Sequence, residues 1–305
     1  MEAAQSTAKT RLLKKQRRLG SEFRGRLLVM TAAIIIIIST LSITAFLTAK
    51  GIQTFINGDV GLSEFLTSSQ WNPTAENPQY GALPFIVGSL SVTLLSALIA
   101  GPLGIAGAIF MIEIAPSWGR KVLQPVIELL VGIPSVVYGF IALTVVVPFI
   151  RNTVGGTGYS MLAGVIVLSV MILPTITSIA TDAIKSQPDE LRDGAYALGA
   201  TRWQMIRKVV VPAAKPALFT AIILGMARAF GEALAVQMVI GNVRDMPGGV
   251  LDPSATLTSI ITLNMGHTTY GSVENNTLWS MGLVLLAISF LFILIIRYLS
   301  ARRNA

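Results

Sequence analysis

The chain contains no cysteine and one histidine, His267, among its 305 residues. Without cysteine there is no disulfide, no thiolate nucleophile and no sulfur-ligated metal. A single histidine excludes histidine-rich metal sites and disfavours Ser-His-Asp catalysis. Charge is also scarce, since 12% of the residues are charged and 53% are apolar, against about a quarter charged in soluble domains. With a mean hydropathy of +0.69, this composition indicates an integral membrane protein.

Six apolar runs are long enough to cross a bilayer as helices. They lie at about residues 27–49, 85–112, 123–150, 161–182, 217–240 and 278–299. We therefore expect an all-α integral membrane protein, a six-transmembrane-helix bundle over residues 27–299. A basic tail, residues 1–26, precedes it and a short tail, residues 300–305, follows it. The first run exceeds the core of a signal peptide, so it is expected to remain a membrane helix.

The basic residues are distributed unevenly between the segments that connect these runs. Eighteen of the 23 Lys and Arg residues lie in the two tails, in the turn 113–122 and in the loop 183–216, and Arg297 at the inner end of the last run makes nineteen on this side. Three lie in the other connections: Lys50, Arg151 and Arg244. The positive-inside rule then predicts that both termini and the loop 183–216 are cytosolic. The long loops 50–84 and 241–277 are expected outside, as a landing surface for an external binding protein or as simple connectors. Each contains a stretch of helical character, Leu62–Leu66 and Ala255–Met265.

The loop 183–216 is too long to be an ordinary connector. Pro188 followed by two acidic residues predicts the start of a helix, and Gly199 predicts its end. Thr201 can cap a second short helix, which Pro212 is expected to close. A helix, a glycine turn and a second helix outside the bilayer are typical of a docking element. The alternative is an interfacial amphipathic helix that has no partner.

Prolines and polar residues interrupt the third and fourth apolar runs. Pro134 is predicted to bend the third helix next to Ser135 and Tyr138, and Pro174 to bend the fourth next to Thr175. Backbone groups freed inside a bilayer are tolerated only against protein or a wet cavity, and broken helices can place N–H groups near an anion. Plain kinked packing is the alternative. Pro125 is predicted to begin helix three, which would put Glu128 in its first turn.

Arg228 and Glu232 lie well inside the fifth apolar run. Each charge near the membrane centre costs about 2.5–3.5 kcal/mol on insertion scales, so both are expected to face protein. Because they are four residues apart, they are predicted to share one helix face and to pair. Two small-residue ridges flank them, Ala221/Gly225/Ala229/Ala233 and Ala227/Gly231/Ala235, where neighbouring helices can approach closely. The pair would serve the substrate or a gate, or would only fix packing.

The loop 183–216 resembles the cytosolic EAA loop of ABC importer permeases. The resemblance rests on Asp193-Gly194-Ala195, followed by Gly199, Ile206 and Pro212. Asp193 and Gly194 depart from the consensus Glu and Ala; the glycine costs about 1 kcal/mol of helix propensity. In that family the loop sits in a groove of the ATPase subunit, so the resemblance implies that these six residues couple this chain to an ATPase.

The surroundings of Arg228 resemble the phosphate-specific permeases of the Pst system. The segment 227–233, with Ala235-Val236 and Gly241-Asn242, is similar to their RAxGExxAV…GN signature, and segments 128–139, 171–174 and 196–202 are similar as well. Ala233 departs from the commoner Thr or Ser, which removes a hydroxyl. The tyrosine at 138 and the long first outer loop favour the C-type subunit (PstC) over its A-type partner.

The resemblance implies a heterodimer with a PstA-type permease, two copies of a PstB-type ATPase and a PstS-type phosphate-binding protein, in a bacterial inner membrane. ATP and Mg would be bound by the ATPase, because this chain has no GxxxxGK[ST] motif. No cofactor, metal site or nucleic-acid partner is expected in this chain, which is expected to be a transport subunit and not an enzyme. Arg228 would attract phosphate in a bidentate contact, and Glu232 would hold Arg228 between substrates. Ser135, Tyr138 and Thr175 are expected to line the path.

Three alternatives remain at this point. Sulfate or molybdate is carried by related permeases. An ion-coupled carrier or channel could use the same charged pair but leaves the EAA-like loop unexplained. An intramembrane hydrolase would need a catalytic set that the sequence lacks.

Overall fold

The computed structural model describes residues 2–58 and 60–301, with side chains described for 25–58, 60–295 and Tyr298. This part of the chain is almost entirely helical and includes six helices long and apolar enough to cross a membrane, which confirms the predicted fold class. These spans are Gly25–Ile56, Leu83–Ile114, Ser135–Thr153, Met161–Lys185, Arg202–Phe230 and Val273–Ile295. A two-stranded antiparallel hairpin, Trp71–Asn72 (β1) with Gln79–Tyr80 (β2), pairs Trp71 with Tyr80.

The helices have the following bounds. They are α1 (Glu2–Ile56), α2 (Leu62–Thr67), α3 (Leu83–Ile109), α4 (Ser117–Gly132), α5 (Ser135–Ile141), α6 (Val147–Thr153), α7 (Met161–Lys185), α8 (Asp189–Ala197), α9 (Arg202–Met205), α10 (Val211–Phe230), α11 (Leu234–Gln237), α12 (Leu257–Asn264) and α13 (Val273–Ala301). Three π turns, Phe110–Ile114, Ala142–Val146 and Ile206–Val210, extend α3, join α5 to α6 and join α9 to α10.

The described chain forms two units that divide after Lys50. The first unit consists of the long apolar helix α1 up to that residue. The second begins with the last turns of α1, which pack on α13 through a buried hydroxyl. Ser280 donates to the Gly51 carbonyl at 2.7 Å and contacts the Thr54 hydroxyl at 2.9 Å.

The third apolar run folds as two helices, where a single bent helix was predicted. Pro134 has no N–H to donate and restricts the preceding residue to extended backbone. Ile133 accordingly has φ −66° and ψ 129°, so α4 ends at Gly132 and α5 begins at Ser135. The predicted helix start at Pro125 is wrong as well, because α4 begins at Ser117, which places Glu128 in its second half.

The fifth span also departs from its predicted bounds, 217–240. It begins at Arg202 and ends at Phe230, and the short helix α11 follows after Gly231, Glu232 and Ala233. The expected closure at Pro212 is therefore wrong. The π turn Ile206–Val210 bonds Val211 N–H to the Ile206 carbonyl, which lets the helix continue through this proline. α7 likewise runs unbroken through Pro174.

The centre of the second unit is a three-helix packing of α3, α7 and α10. Its closest approaches are made by glycines, because a Cβ on Gly104 or Gly225 would lie 2.8 Å or 2.6 Å from Ile176 side-chain atoms. Ile176 is fully buried between them. Small residues at such contacts let membrane helices approach closely. This packing fixes the position of α10 along α7.

A second apolar cluster lies toward the end of the bundle where α3 begins. It gathers Phe65, Trp71 and Phe85 with Leu257 and Leu278, all buried. The expected short helices are present there as α2 and α12. The polypeptide before α12 presses on α3 so tightly that a Cβ on Gly88 would lie 2.1 Å from the Ala255 carbonyl oxygen. The segment 254–264 is therefore part of the packed structure.

Candidate functional site

Two interrupted helices meet inside the second unit. The break between α4 and α5 lies at residues 133–134, and the break between α10 and α11 lies at residues 231–233. α5 and α11 cross closely, since a Cβ on Gly139 would come within 2.9 Å of the Ala235 Cα atom. Paired interruptions within apolar segments are a recurrent feature of transporter binding sites.

Arg228 reaches this region from the last turn of α10. Ala221, Gly225 and Ala229 on the same helix are buried, and Gly225 lies against Ile176 of α7. This confirms the predicted close approach along that ridge as far as Ala229, while Ala233 lies beyond the end of α10. The second predicted ridge is wrong, because the helix ends before Gly231, which is exposed.

The Arg228 guanidinium contacts two neutral oxygens. Nη1 donates to the Thr175 hydroxyl, and Nη2 donates to the Val131 carbonyl at 3.5 Å, a long hydrogen bond. Thr175 lies near the middle of α7, and Val131 lies in the last turn of α4. Arg228 thus bridges α7 to the α4–α5 break at the middle of the bundle, and neither of these contacts neutralises its charge.

The predicted pair between Arg228 and Glu232 is wrong in this structure. Because α10 ends at Phe230, the two residues no longer share one helix face. The Glu232 carboxylate instead accepts from the backbone N–H of Ala235 at 3.1 Å, in the first turn of α11. Its backbone carbonyl accepts from the Thr258 hydroxyl at 2.8 Å, at the start of α12. Glu232 precedes Ala233, the N-cap residue of α11, and its carboxylate satisfies a backbone N–H that the first turn of α11 leaves free.

Tyr138 and Ser135 lie on α5, directly after the first break. The Tyr138 hydroxyl donates to the Leu130 carbonyl at 2.8 Å, so it satisfies one of the carbonyls that the break leaves free. Tyr138 is buried, and Leu130 directly precedes Val131, whose carbonyl contacts Arg228. Ser135 is the first residue of α5 and is half-buried. The structure therefore brings Arg228 into contact with Thr175 and to the α4–α5 break, where Tyr138 and Ser135 lie. Glu232 lies at the other break, between α10 and α11.

The loop 183–216 carries the second set of predicted residues. α8 ends in a Schellman arrangement: Gly199 has φ +77°, its N–H bonds the Tyr196 carbonyl at 2.9 Å, and Ala200 N–H bonds the Ala195 carbonyl at 3.1 Å. Thr201 then caps α9 in a reciprocal capping box with Gln204, as its position predicts.

The six coupling candidates divide by exposure. Ala195 and Ile206 are buried in the main core, which anchors the loop to the bundle. Asp193, Gly194, Gly199 and Pro212 are exposed. Large apolar side chains accompany them at the surface, with Leu198 90% and Trp203 61% exposed. Apolar groups exposed on a polar loop are typical of a binding surface.

The contact that fixes α8 was not predicted from the sequence. Arg192 donates from Nε and Nη2 to one oxygen of Glu113, at 3.1 and 2.9 Å, and to the carbonyls of Gln187 and Ile184. It also contacts Asp189 at 3.0 Å. Glu113 is 6% exposed, in the π turn after α3. The one sequence signal for this contact was an acidic residue, Glu113, at the end of an apolar run. Its partner, Arg192, could not be predicted because it lies 79 residues away.

Among the residues whose side chains are described, no group of three or more acidic or histidine side chains could hold a metal ion.

Comparison with known proteins places these features in a family. Residues 100–305 match the family model described as "Binding-protein-dependent transport system inner membrane component". The chain is 70% identical over 291 residues to the "Probable ABC transporter permease protein YqgH" of Bacillus subtilis (strain 168), which covers 95% of this chain and 94% of that protein. It is 36% identical over 261 residues to the "Phosphate transport system permease protein PstC" of Mesorhizobium japonicum, which covers 79% of each chain.

A solved structure has the same fold. An inward-facing form of the MetNI methionine ABC transporter aligns with a TM-score of 0.52 at 24% identity, over 70% of this chain and 93% of that chain.

Proposed function

This chain belongs to the family of binding-protein-dependent transport system inner membrane components, and we propose that it is the C-type permease subunit of an ATP-driven phosphate importer. As a family member it is a multi-pass permease subunit of an ABC importer, and it works with a separate ATPase and a binding protein. The proposal adds the substrate, phosphate, and the partners: a PstA-type permease, two PstB-type ATPases and a PstS-type binding protein.

The substrate proposal rests on the contacts of the Arg228 guanidinium. Its guanidinium lies at the middle of the bundle between two helix breaks, and it contacts neutral oxygens of Thr175 and Val131. A cation placed there is costly unless a partner compensates its charge. A phosphate dianion supplies that compensation and matches the guanidinium fork in bidentate geometry. Relatives named for phosphate transport support the same substrate.

The proposed roles of the other residues follow from their places. Thr175 holds Arg228 in position while the site is empty and becomes a hydrogen-bond donor to the bound anion. Ser135 and Tyr138 line the site at the start of α5. Glu232 positions α11 through its contact with Ala235 N–H and carries a negative charge at the second break. A phosphate therefore meets one cation, several hydroxyls and one carboxylate.

The loop 183–216 is proposed to dock on the ATPase through α8, the Gly199 turn and α9. Its exposed Leu198 and Trp203 would enter the groove, while the buried Ala195 and Ile206 transmit the movement of the loop to the bundle. This role requires the loop to be cytosolic, as the distribution of basic residues predicts. ATP and Mg are proposed to be bound by the ATPase partner, with no cofactor in this chain.

The experiment is transport by the reconstituted four-component complex. Uptake of labelled phosphate, sulfate and molybdate is measured with and without ATP. We expect ATP-dependent phosphate uptake that excess sulfate or molybdate does not compete away. Preferential uptake of either competitor would move the assignment to that oxyanion, and ATP-independent uptake would favour an ion-coupled carrier or channel.

A further inference from the structure

A cleft of about 250 Å³ opens where α4 begins and α7 ends, beside the π turn that follows α3. A cavity of about 10–15 Å³ already holds one water molecule, so this cleft has room for several water molecules or a small anion. Its walls are the facing sides of α4 and α7, the two helices that supply the contacts of Arg228.

The wall on α4 carries a polar residue at every fourth position. Arg120, Gln124 and Glu128 line the cleft. Residues four apart on a helix lie on one face, and the next position along this face is near Val131, whose carbonyl accepts from Arg228. The Glu128 carboxylate accepts from the Gln124 amide at 3.1 Å, a neutral partner.

The wall on α7 runs from Thr175 toward the C-terminal end of that helix. Ser178, Asp182 and Lys185 follow it at intervals of three and four residues, and all three line the cleft. Thr181 lines it as well, and its hydroxyl oxygen is buried without a hydrogen-bond partner among the described residues. An unsatisfied buried hydroxyl beside this cleft is suited to a water molecule or a small polar solute.

The cleft ends one turn short of Val131 on α4 and of Thr175 on α7, the two residues whose oxygens contact Arg228. We infer that this cleft is the inner half of the phosphate path and that Glu128 separates phosphate from Arg228 on release, an inference that rests on the proposed function. Arg120 and Lys185 lie at the far end of the cleft, where cations draw the released anion outward.

Glu128 suits this role because of its negative charge and its position along α4. Glu128 lies one helical turn before Val131, on the cleft side of the guanidinium, so a phosphate that leaves Arg228 through the cleft passes its carboxylate. A carboxylate there repels the anion and competes with it for Arg228.

The first test is access to the cleft, and the absence of cysteine makes it direct. Gln124→Cys, in the cleft, is compared with Leu129→Cys, which lies on the opposite side of α4 and is 72% exposed. An anionic, membrane-impermeant methanethiosulfonate is applied to the assembled complex in nanodiscs. We expect labelling at Gln124→Cys that phosphate at ten times its dissociation constant slows about tenfold, and no phosphate protection at Leu129→Cys.

The second test is release. Labelled phosphate is loaded onto the complex, and its escape is followed after ATP addition in the parent, Glu128→Gln and Glu128→Asp. Coupling between interacting sites is commonly 5- to 150-fold, so we expect roughly tenfold slower release from Glu128→Gln, with partial recovery in Glu128→Asp. A purely structural role would reduce the yield of complex and leave the release rate of the assembled fraction unchanged.

These outcomes separate the inference from the proposed function. If the parent complex takes up no phosphate, the proposed function fails and the inference fails with it. If the parent transports phosphate while Glu128→Gln releases it at the parent rate, or phosphate leaves Gln124→Cys labelling unchanged, the inference alone is overturned.

Discussion

At Arg228 the fold holds a cation against oxygens that carry no charge. The guanidinium contacts the Thr175 hydroxyl and the Val131 carbonyl, while the Glu232 carboxylate accepts from a backbone N–H of α11. The substrate test can therefore be made by a single neutral substitution, because removing Arg228 leaves no buried carboxylate that depended on it. Such stranded charges are the usual reason that variants of buried ion pairs fail to fold.

We predict that Arg228→Met assembles but does not transport phosphate. Two charge-assisted hydrogen bonds of about 1.5–3 kcal/mol each are lost to the anion, so its affinity falls by roughly 10²-fold or more. Arg228→Lys is expected to recover little, because an ammonium group cannot reproduce the bidentate contact. Assembly is measured by copurification of the partners, and uptake by labelled phosphate.

Two Thr→Val changes accompany Arg228→Met, one in the site and one as its control. Thr175→Val removes the hydroxyl that contacts Arg228, a charge-assisted hydrogen bond of about 1.5–3 kcal/mol, and is expected to reduce uptake by roughly tenfold or more. Thr144→Val removes a hydroxyl bonded within its own helix and should change little. Near-normal uptake by Arg228→Met would remove Arg228 from the substrate path.

Gly199 is the second residue whose chemistry sets a specific expectation. Its φ of +77° favours glycine, although open space surrounds the position where a Cβ would be. We predict that Gly199→Trp inserts in the membrane but loses ATPase association or transport. The left-handed backbone costs a bulky residue about 1–2 kcal/mol, and an indole there would obstruct docking. Gly199→Asn is the control, because asparagine tolerates this conformation. Normal uptake by Gly199→Trp would count against the docking surface.

Among the elements, α8 is held by contacts that come from far along the chain. Arg192 joins it to Glu113 in the π turn after α3 and to the carbonyls at the end of α7. A loop fixed this way moves together with α3 and α7 instead of swinging freely. The contact is thus suited to carry motion of the docking element into the bundle.

We predict that Glu113→Gln weakens the coupling of ATP hydrolysis to uptake. Removing one charge of a buried ion pair lowers the free energy of unfolding by about 3–5 kcal/mol at most. The remaining contacts of Arg192 keep this loss toward the lower end. The matched control is Asp189→Asn, which removes the other carboxylate bound to Arg192, one whose side chain is 90% exposed. Exposed pairs contribute about 0–1 kcal/mol, so this variant should behave like the parent. The measurement is phosphate transported per ATP hydrolysed, and equal ratios in both variants would contradict the role.

The helices also show which features of the fold could be predicted from local sequence signals. The apolar runs predicted six spans because length and hydropathy alone decide membrane insertion. Pro134 predicted a bend, and the helix is broken there, whereas α7 runs unbroken through Pro174, so the missing N–H of a proline does not by itself decide between a continuous and a broken helix. The break after Phe230 was not predicted, because Gly231 carries only a weak helix penalty, and the contacts of Glu232 with Ala235 and Thr258 are decided by tertiary packing. For the same reason the spacing of Arg228 and Glu232 predicted a pair that the fold does not form.

In the whole molecule, the polar residues that the function would use form a series through the second unit. The exposed loop, the cleft between α4 and α7, Arg228 and the start of α12 follow one another from one end of the bundle to the other. The sequence predicted the loop and Arg228 separately. Their connection through the cleft depends on which faces of α4 and α7 meet, and no local pattern specifies that.

The direction of this series across the membrane is the last prediction. Nineteen basic residues lie on the side of the loop 183–216 and three on the other, and membrane insertion retains such clusters in the cytosol. We therefore predict that Ser186, exposed at the end of α7, faces the cytosol and that Thr269, exposed between α12 and α13, faces outward. Since the chain has no cysteine, Ser186→Cys and Thr269→Cys each report one position.

An impermeant maleimide added to intact cells should label Thr269→Cys, and should label Ser186→Cys only after the membrane is opened. The two variants serve as controls for each other, because both positions are exposed and both changes are small. An inverted orientation would exchange the two results. It would put the EAA-like loop out of reach of a cytosolic ATPase, and the coupling role of Gly199 and Arg192 would then have to be abandoned. It would also turn the cleft below Arg228 from an exit into an entrance.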